Sequence, residues 1–537
     1  MKVLDCTLRD GGYYNNWDFD ESVVLAYLQA VANANIDYVE LGLRNFPKQG
    51  FLGAFAYTTE AFLASIDLPD GPTYGVMVDA KTILTSGLDI IEAVDKLFVE
   101  QNTSKVQLVR VAAHFAEVEK SEAIVKRLKA KGYIVGLNLM QAGGKPSETI
   151  ANLAKVVSTW GALDVLYFAD SLGNMDSAEV DRIITALRLG WTGELGIHTH
   201  NNMGQGLSNS KYAWEHGVNW IDSTITGMGR GAGNTQTESL LATLDSLGSS
   251  SYTSKPIFDL AIRHFEPMQK VYGWGSNLLY FLGAQNDIHP TYIQNLLGDS
   301  HFGTDEVIGA IDYLSRLENS ASYSNEQFHN ALSFGNANKP LEGSKDLVGI
   351  ASEREVLILA NGPSLNRYKK DVVSYIQSNR PIVLALNVID FPEEFIDFYC
   401  ASRNSKFLSE SEQYQSLSRP IILPLNRFTD EEIDTTLSSS TILNYGLEVS
   451  DEKLQVDEEY CVTPHDLTAV YSFCAASVMN PSRISLVGFD GYTPHDPRQL
   501  EMIEIFNLVK DKLPELEFRA ITPSTYPISK YSLYAPY

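Results

Sequence analysis

Two histidines one residue apart, His198 and His200, stand in the run Gly196-Ile-His-Thr-His-Asn-Asn202. On a β-strand, side chains at i and i+2 leave the same face, so the two imidazoles can share one cation. Taken alone, such a pair is equally well read as two hydrogen-bonded histidines. The start of the chain shifts the balance. Residues 3–12 read Val-Leu-Asp-Cys-Thr-Leu-Arg-Asp-Gly-Gly, which predicts a buried strand from Val3 to Leu8 delivering Arg9 and Asp10 onto a glycine turn. An aspartate before Gly-Gly is often only a turn former. Together with two imidazoles it makes a mixed oxygen and nitrogen ligand set suited to Mn, Mg or Zn, with positions left for water or substrate.

Strand ends that carry such groups need a scaffold, and the first half of the chain supplies a repeated one. Strand patterns at 38–44, 73–78, 105–111 (running on to His114), 133–140, 164–170 and 220–225 join those at the Asp10 and His198 segments. Helical patterns lie between them at Asp20–Asn33, Ser86–Leu97 and Ser121–Lys131. Eight such units fit a (β/α)8 (TIM) barrel, whose active site sits at the C-terminal strand ends. Polar residues gather there: Glu40, Arg44, His114, Asn138, Gln141, Asp170, Ser171 and Asn234 join Arg9, Asp10 and the two histidines. A doubly wound sheet would also place polar groups at strand ends, but would less readily gather the first and seventh strands around one ion. The Gly227–Asn234 loop reads as close packing beside the ligands rather than as a phosphate cradle.

The chain has 537 residues, enough for two or three domains. Lys and Arg number 41 against 67 Asp and Glu, a net charge of −26 that argues against nucleic-acid and anionic-membrane partners. Four scattered cysteines without framework spacing predict reduced thiols, and the absence of a leader pattern or a membrane-length apolar run predicts a cytoplasmic protein. The expected organisation is a barrel over 1–250, a helical extension over 251–333, a linker over 334–353 and an α/β domain over 354–537.

Thr7-Leu-Arg-Asp-Gly11, Val109–His114, Tyr167–Gly173, His198–Asn202 and Gly227–Asn234 together resemble the metallo-lyase barrels. That superfamily contains 3-hydroxy-3-methylglutaryl-CoA lyase, isopropylmalate synthase and 4-hydroxy-2-oxovalerate aldolase, and the last is the most similar. The resemblance covers about residues 1–285. It implies a carbon–carbon lyase acting on a 2-oxo acid and an aldehyde, with Asp10, His198 and His200 as metal ligands and Asn234 as a further one. It also implies Arg9 beside the developing enolate and Ser171 near the substrate carboxylate. Asp170 is read either as part of that carboxylate region or as a structural group orienting Arg9. The oxovalerate aldolases carry a histidine three residues after the metal aspartate, where this chain has Tyr13. Tyr13 is a poor base at neutral pH, so His114, Tyr280 or a bound water stand as alternatives. The runner-up activity is an acyl-CoA condensing reaction on the same barrel, and the alternative of another class is a non-catalytic binding protein. The relatives' partner dehydrogenase is not carried over, and a homo-oligomer is compatible with the pattern.

The second half reads as an open, Rossmann-like α/β sheet, with strands at 355–360, 381–387, 420–424 and 482–490 and helices at 368–378 and 467–479. Asn361-Gly-Pro-Ser364, the strand end at Asn387 and Leu486–Tyr492 resemble bacterial sialyltransferases that use CMP-sugars, and a related pterin pyrophosphokinase-like group. That implies a nucleotide or sugar nucleotide contacted by Asn361, Gly362, Ser364 and Asn387, with His465 and His495 as the nearby bases.

Overall fold

The computed structural model describes residues 1–248, 251–317, 319–325, 327–328, 331, 339–436, 441–450, 453–493 and 496–535. They form two compact units, one of Met1–Asn295 with Asn319–Tyr323, the other of Leu296–Glu318 with Ser324–Tyr537. The expected extension over 251–333 is therefore divided. Helix Thr304–Ser315 joins the second unit because Val307, Ile311 and Leu314 are buried there and Glu306 accepts from Ser405 Oγ at 2.9 Å. Most of the expected linker's glycine- and asparagine-rich first half lies outside the described residues.

The first unit is a closed barrel of eight parallel strands in sequence order. They are β1 (Lys2–Asp5), β2 (Tyr38–Leu43), β3 (Thr73–Asp79), β4 (Leu108–His114), β5 (Ile134–Met140), β6 (Val165–Asp170), β7 (Glu194–Thr199) and β8 (Trp220–Ser223). β1 closes the barrel against β8 with Leu4 opposite Asp222. Strand alternation sends one set of residues inward. Leu4, Leu108, Val165, Tyr167 and Trp220 form an apolar cluster, while Glu40, Arg110, His198 and Asp222 meet one another as a buried charged layer.

The chain departs from expectation directly after β1. The strand stops at Asp5, and Thr7–Asn15 is a helix, α1, that contains Arg9, Asp10 and both glycines. The Asp5 carboxylate makes the break, accepting from Thr7 N–H at 2.9 Å and from its hydroxyl at 2.6 Å. The glycines are required by crowding rather than by a turn. A Cβ on Gly12 would lie 2.1 Å from the Trp17 ring, and one on Gly11 would lie 2.7 Å from Met228 Sδ. α1 thus presses flat against its neighbours and carries Arg9 and Asp10 over the barrel mouth.

The second unit holds an eight-stranded sheet whose paired strands are all parallel, in the order β13-β12-β11-β10-β9-β17-β18-β19. Here β9 is Glu355–Leu359, β10 Ile382–Leu386, β11 Phe398–Cys400, β12 Ile421–Leu423, β13 Ile442–Asn444, β17 Arg483–Val487, β18 Phe518–Ala520 and β19 Ser529–Lys530. Three short strands, β14 (Gly446–Val449), β15 (Gln455–Val456) and β16 (Tyr460–Thr463), form a separate sheet. The chain winds outward from β9 in both directions, the doubly wound arrangement expected of an open α/β domain. Among the described residues no helix is long and apolar enough to cross a membrane.

Candidate metal centre and active-site cavity

Asp10, His198 and His200 converge at the barrel mouth. Asp10 Oδ2 lies 3.6 Å from His198 Nε2 and 3.9 Å from His200 Nε2, and the three ligand atoms lie within 4.8 Å of one another. The second nitrogen of each ring is already held. His198 Nδ1 meets Asp222 Oδ2 at 2.8 Å, and His200 Nδ1 meets the Asp170 carbonyl at 2.7 Å. Both Nε2 atoms are thereby turned to one point, as outer-shell carboxylate and carbonyl partners do in metal sites. Burial and the neighbouring His198 push the His200 pKa down to about 3. Burial works against the Asp10 carboxylate, but the Arg9 guanidinium holds its pKa well below the usual range. This donor set fits a divalent cation. Asn234 reaches the same place, donating from Nδ2 to Asp10 Oδ2 at 2.5 Å, with its buried Oδ1 unpaired among the described residues.

Behind the cluster runs a chain of buried charges. Arg9 donates through Nε to Glu40 at 2.7 Å and through Nη1 to Asp10 at 2.5 Å. Arg110 clasps Glu40 at 2.8 and 2.6 Å and reaches Asp222 at 2.6 Å. Glu40, not Asp170, orients Arg9. The Asp170 carboxylate instead accepts the backbone N–H groups of Asn174 and Met175, and burial pushes its pKa up to about 7. Removing one member of a fully buried ionic network leaves its partners uncompensated. Glu40→Gln is expected to destabilise the barrel by about 3–5 kcal/mol, measured by denaturant unfolding.

A cavity of about 270 Å³ opens over the cluster. Arg9, Asp10, Tyr13, His114, Ser171, His198 and His200 all line it, so the structure brings the expected barrel residues together. Ser171 Oγ accepts the Gln141 N–H at 2.9 Å, which leaves its own O–H to donate. Tyr280, the other tyrosine considered, is packed against Tyr14, hydroxyl to hydroxyl at 3.3 Å, and is not part of the cavity lining. The Gly227–Asn234 loop packs where expected, since a Cβ on Gly229 would lie 2.8 Å from Asp10 Oδ2. Sequence reading missed Asp222, Arg230 and His289. The parity of Trp220 and Asp222 on β8 could have shown the first, and the His-Pro step ahead of an apolar-periodic stretch could have flagged the last as a helix start.

In the second unit the expected anion cradle is already filled. The Asp490 carboxylate accepts from Ser364 N at 3.2 Å and from Ser364 Oγ at 2.8 Å, so these donors are not free for a phosphate. A Cβ on Gly362 would lie 2.3 Å from Asp490 Oδ2. Asn361 is exposed, and Asn387 adopts φ 54° with its Oδ1 unpaired among the described residues. His465 faces Glu504 at 3.5 Å, and His495 lies outside the described residues.

A closed parallel barrel with a carboxylate and two imidazoles converging at its mouth is the architecture of a metal-dependent barrel enzyme. A family model described as HMGL-like matches residues 1–261. The 4-hydroxy-2-oxovalerate aldolase of Geobacillus thermodenitrificans is 30% identical over 248 residues, covering 46% of this chain and 70% of that protein. One from Rhodococcus opacus is 29% identical over 276 residues, covering 50% and 76%. A crystal structure of the N-terminal domain of a presumed aldolase from Bacteroides vulgatus is 31% identical, with a TM-score of 0.51 over 56% of this chain and 98% of that one. The chain belongs to the HMGL-like family.

Proposed function

We propose that the barrel forms or cleaves the carbon–carbon bond between the methyl carbon of pyruvate, or a related 2-oxo acid, and an aldehyde. The observation that carries this reading is the convergence of Asp10, His198 and His200 beside a guanidinium whose position is fixed by Glu40. Asp10, His198 and His200 would hold a divalent ion, Mn, Mg or Zn, with Asn234 as a further oxygen donor; the carboxylate and amide oxygens suit Mn or Mg and the imidazoles suit Zn. When bound, the ion acts as a Lewis acid on the keto group. Arg9 has Nε and Nη1 committed to carboxylates, so its remaining N–H groups stay aimed without reorganisation at an oxygen gaining negative charge. The free O–H of Ser171 donates to the 2-oxo acid's carboxylate. Tyr13 and His114 line the same cavity, which makes them candidates for contact with the aldehyde's oxygen or chain. The second unit's Asn361, Gly362, Ser364 and Asn387 enter no step of this reading, because Asp490 already saturates Ser364.

Supplied with 4-hydroxy-2-oxopentanoate, the substrate type named for the relatives, the protein is expected to release pyruvate with Mn or Mg present and to stop on chelation. Consumption of acetyl-CoA with no pyruvate release would favour the condensing alternative. The barrel unit is also proposed to fold independently. A chain ending near residue 295, where that unit's main segment ends, is expected to unfold cooperatively and to keep its metal affinity, read by calorimetry. Aggregation, or loss of metal binding, would contradict that division.

A further inference from the structure

His289 enters the cavity from outside the strand pattern, on the turn before helix Pro290–Gly298. It caps that helix. Its carbonyl accepts from Tyr292 N–H at 3.0 Å, and its Nδ1 accepts from Thr291 N–H at 3.3 Å. With Nδ1 engaged as acceptor, a neutral ring carries its proton on Nε2. That nitrogen lies 3.4 Å from Arg230 Nη1, and the Arg230 guanidinium in turn covers the Tyr13 ring at 4.2 Å from its centroid. A neutral ring cannot accept from both Thr291 N–H and Arg230. Keeping the shorter Thr291 contact puts the proton on Nε2, and Nε2–H and Arg230 Nη1–H are then two donors that cannot satisfy each other. Both need an acceptor, and the space beside them is the cavity over the metal cluster.

We infer that His289 and Arg230 form a two-donor site for the oxygen of the aldehyde partner. His289 acts there as a neutral hydrogen-bond donor and not as a base. The inference rests on the aldolase reading above. During bond formation the aldehyde carbon accepts the electron pair of the pyruvate enolate, and its oxygen gains the negative charge. His289 Nε2–H and Arg230 Nη1–H stabilise that charge and lower the barrier; the alkoxide then takes its proton from water to become the product hydroxyl, and in cleavage water removes that proton while the two donors hold the oxygen as an alkoxide. No proton changes hands at His289. Its environment suits this role, since burial first, then Arg230 and His200, push its pKa down to about 3 and keep the imidazole neutral. An imidazole kept neutral so that it works as an electrophile is a known catalytic arrangement.

The test separates the two half-reactions. Exchange of pyruvate methyl protons involves no aldehyde, so His289→Asn should leave metal-dependent exchange near the wild-type rate while aldol turnover falls about 10²–10³-fold. His289→Gln, whose amide N–H reaches further than that of Asn, toward the position of Nε2, should recover part of the loss. Equal loss of exchange and turnover would reduce His289 to a structural role, and full turnover in His289→Asn would remove it from the reaction; either result overturns the inference. A wild-type protein without metal-dependent exchange would overturn the aldolase reading itself. Independently of activity, ¹⁵N spectra of histidine-labelled protein should show His289, assigned by its absence in the variant, as a neutral Nε2–H ring. It should not titrate between about pH 5 and 8. An Nδ1–H ring, or a titration midpoint within that range, would contradict the proposal.

Discussion

Replacing His198 with alanine is expected to lower divalent-metal affinity by more than the roughly 10–100-fold that follows loss of an outer-shell partner. It removes a ligand and at the same time frees Asp222, which is buried between His198 and Arg110. His200→Ala should weaken binding comparably with less effect on stability, because its Nδ1 partner is a backbone carbonyl rather than a carboxylate. Titration calorimetry with Mn or Mg reads both affinities, and circular dichroism shows whether the barrel persists. If both variants bind metal as tightly as the parent, the three-residue cluster is not the metal site.

Arg9→Lys is expected to leave metal binding largely intact and to cut turnover about 10²–10³-fold. A lysine keeps the positive charge but loses the planar fork that spans Glu40 and Asp10 simultaneously. An ammonium's three N–H groups leave from one nitrogen, so they cannot keep both carboxylate contacts and also aim a donor at the substrate oxygen. The loss should appear in kcat rather than KM, since the contact strengthens as the enolate forms. Turnover within a few-fold of the parent would exclude Arg9 from the chemistry.

The site was legible in the sequence to the extent that strand periodicity controls it. His198 and His200 point together because they alternate on β7, and Asp10 stands beside them because β1 and β8 close the barrel. The helical setting of Asp10 was hidden. The apolar run from Val3 reads as one strand to Leu8, and only the Asp5 side chain, turned back onto Thr7, ends it three residues early. Gly11 and Gly12 look like a turn, and their true constraint comes from Met228 and Trp17, one of them more than 200 residues away. Arg230 and His289 sit in a loop and at a helix start, where no periodicity reports which way a side chain faces. The second unit shows the same limit. Asn361-Gly-Pro-Ser364 carries the local signature of an anion cradle, but the carboxylate that fills it, Asp490, is 126 residues further on.

Deuterium incorporation into the methyl group of pyruvate, followed by mass spectrometry in D₂O, tests the central claim most directly, because it needs no knowledge of the aldehyde. The full chain with Mn or Mg should exchange the methyl protons, and the rate should collapse on chelation and in His198→Ala. Exchange that is absent with every divalent ion, or that continues unchanged after chelation, would contradict a metal-dependent aldolase built on Asp10, His198 and His200.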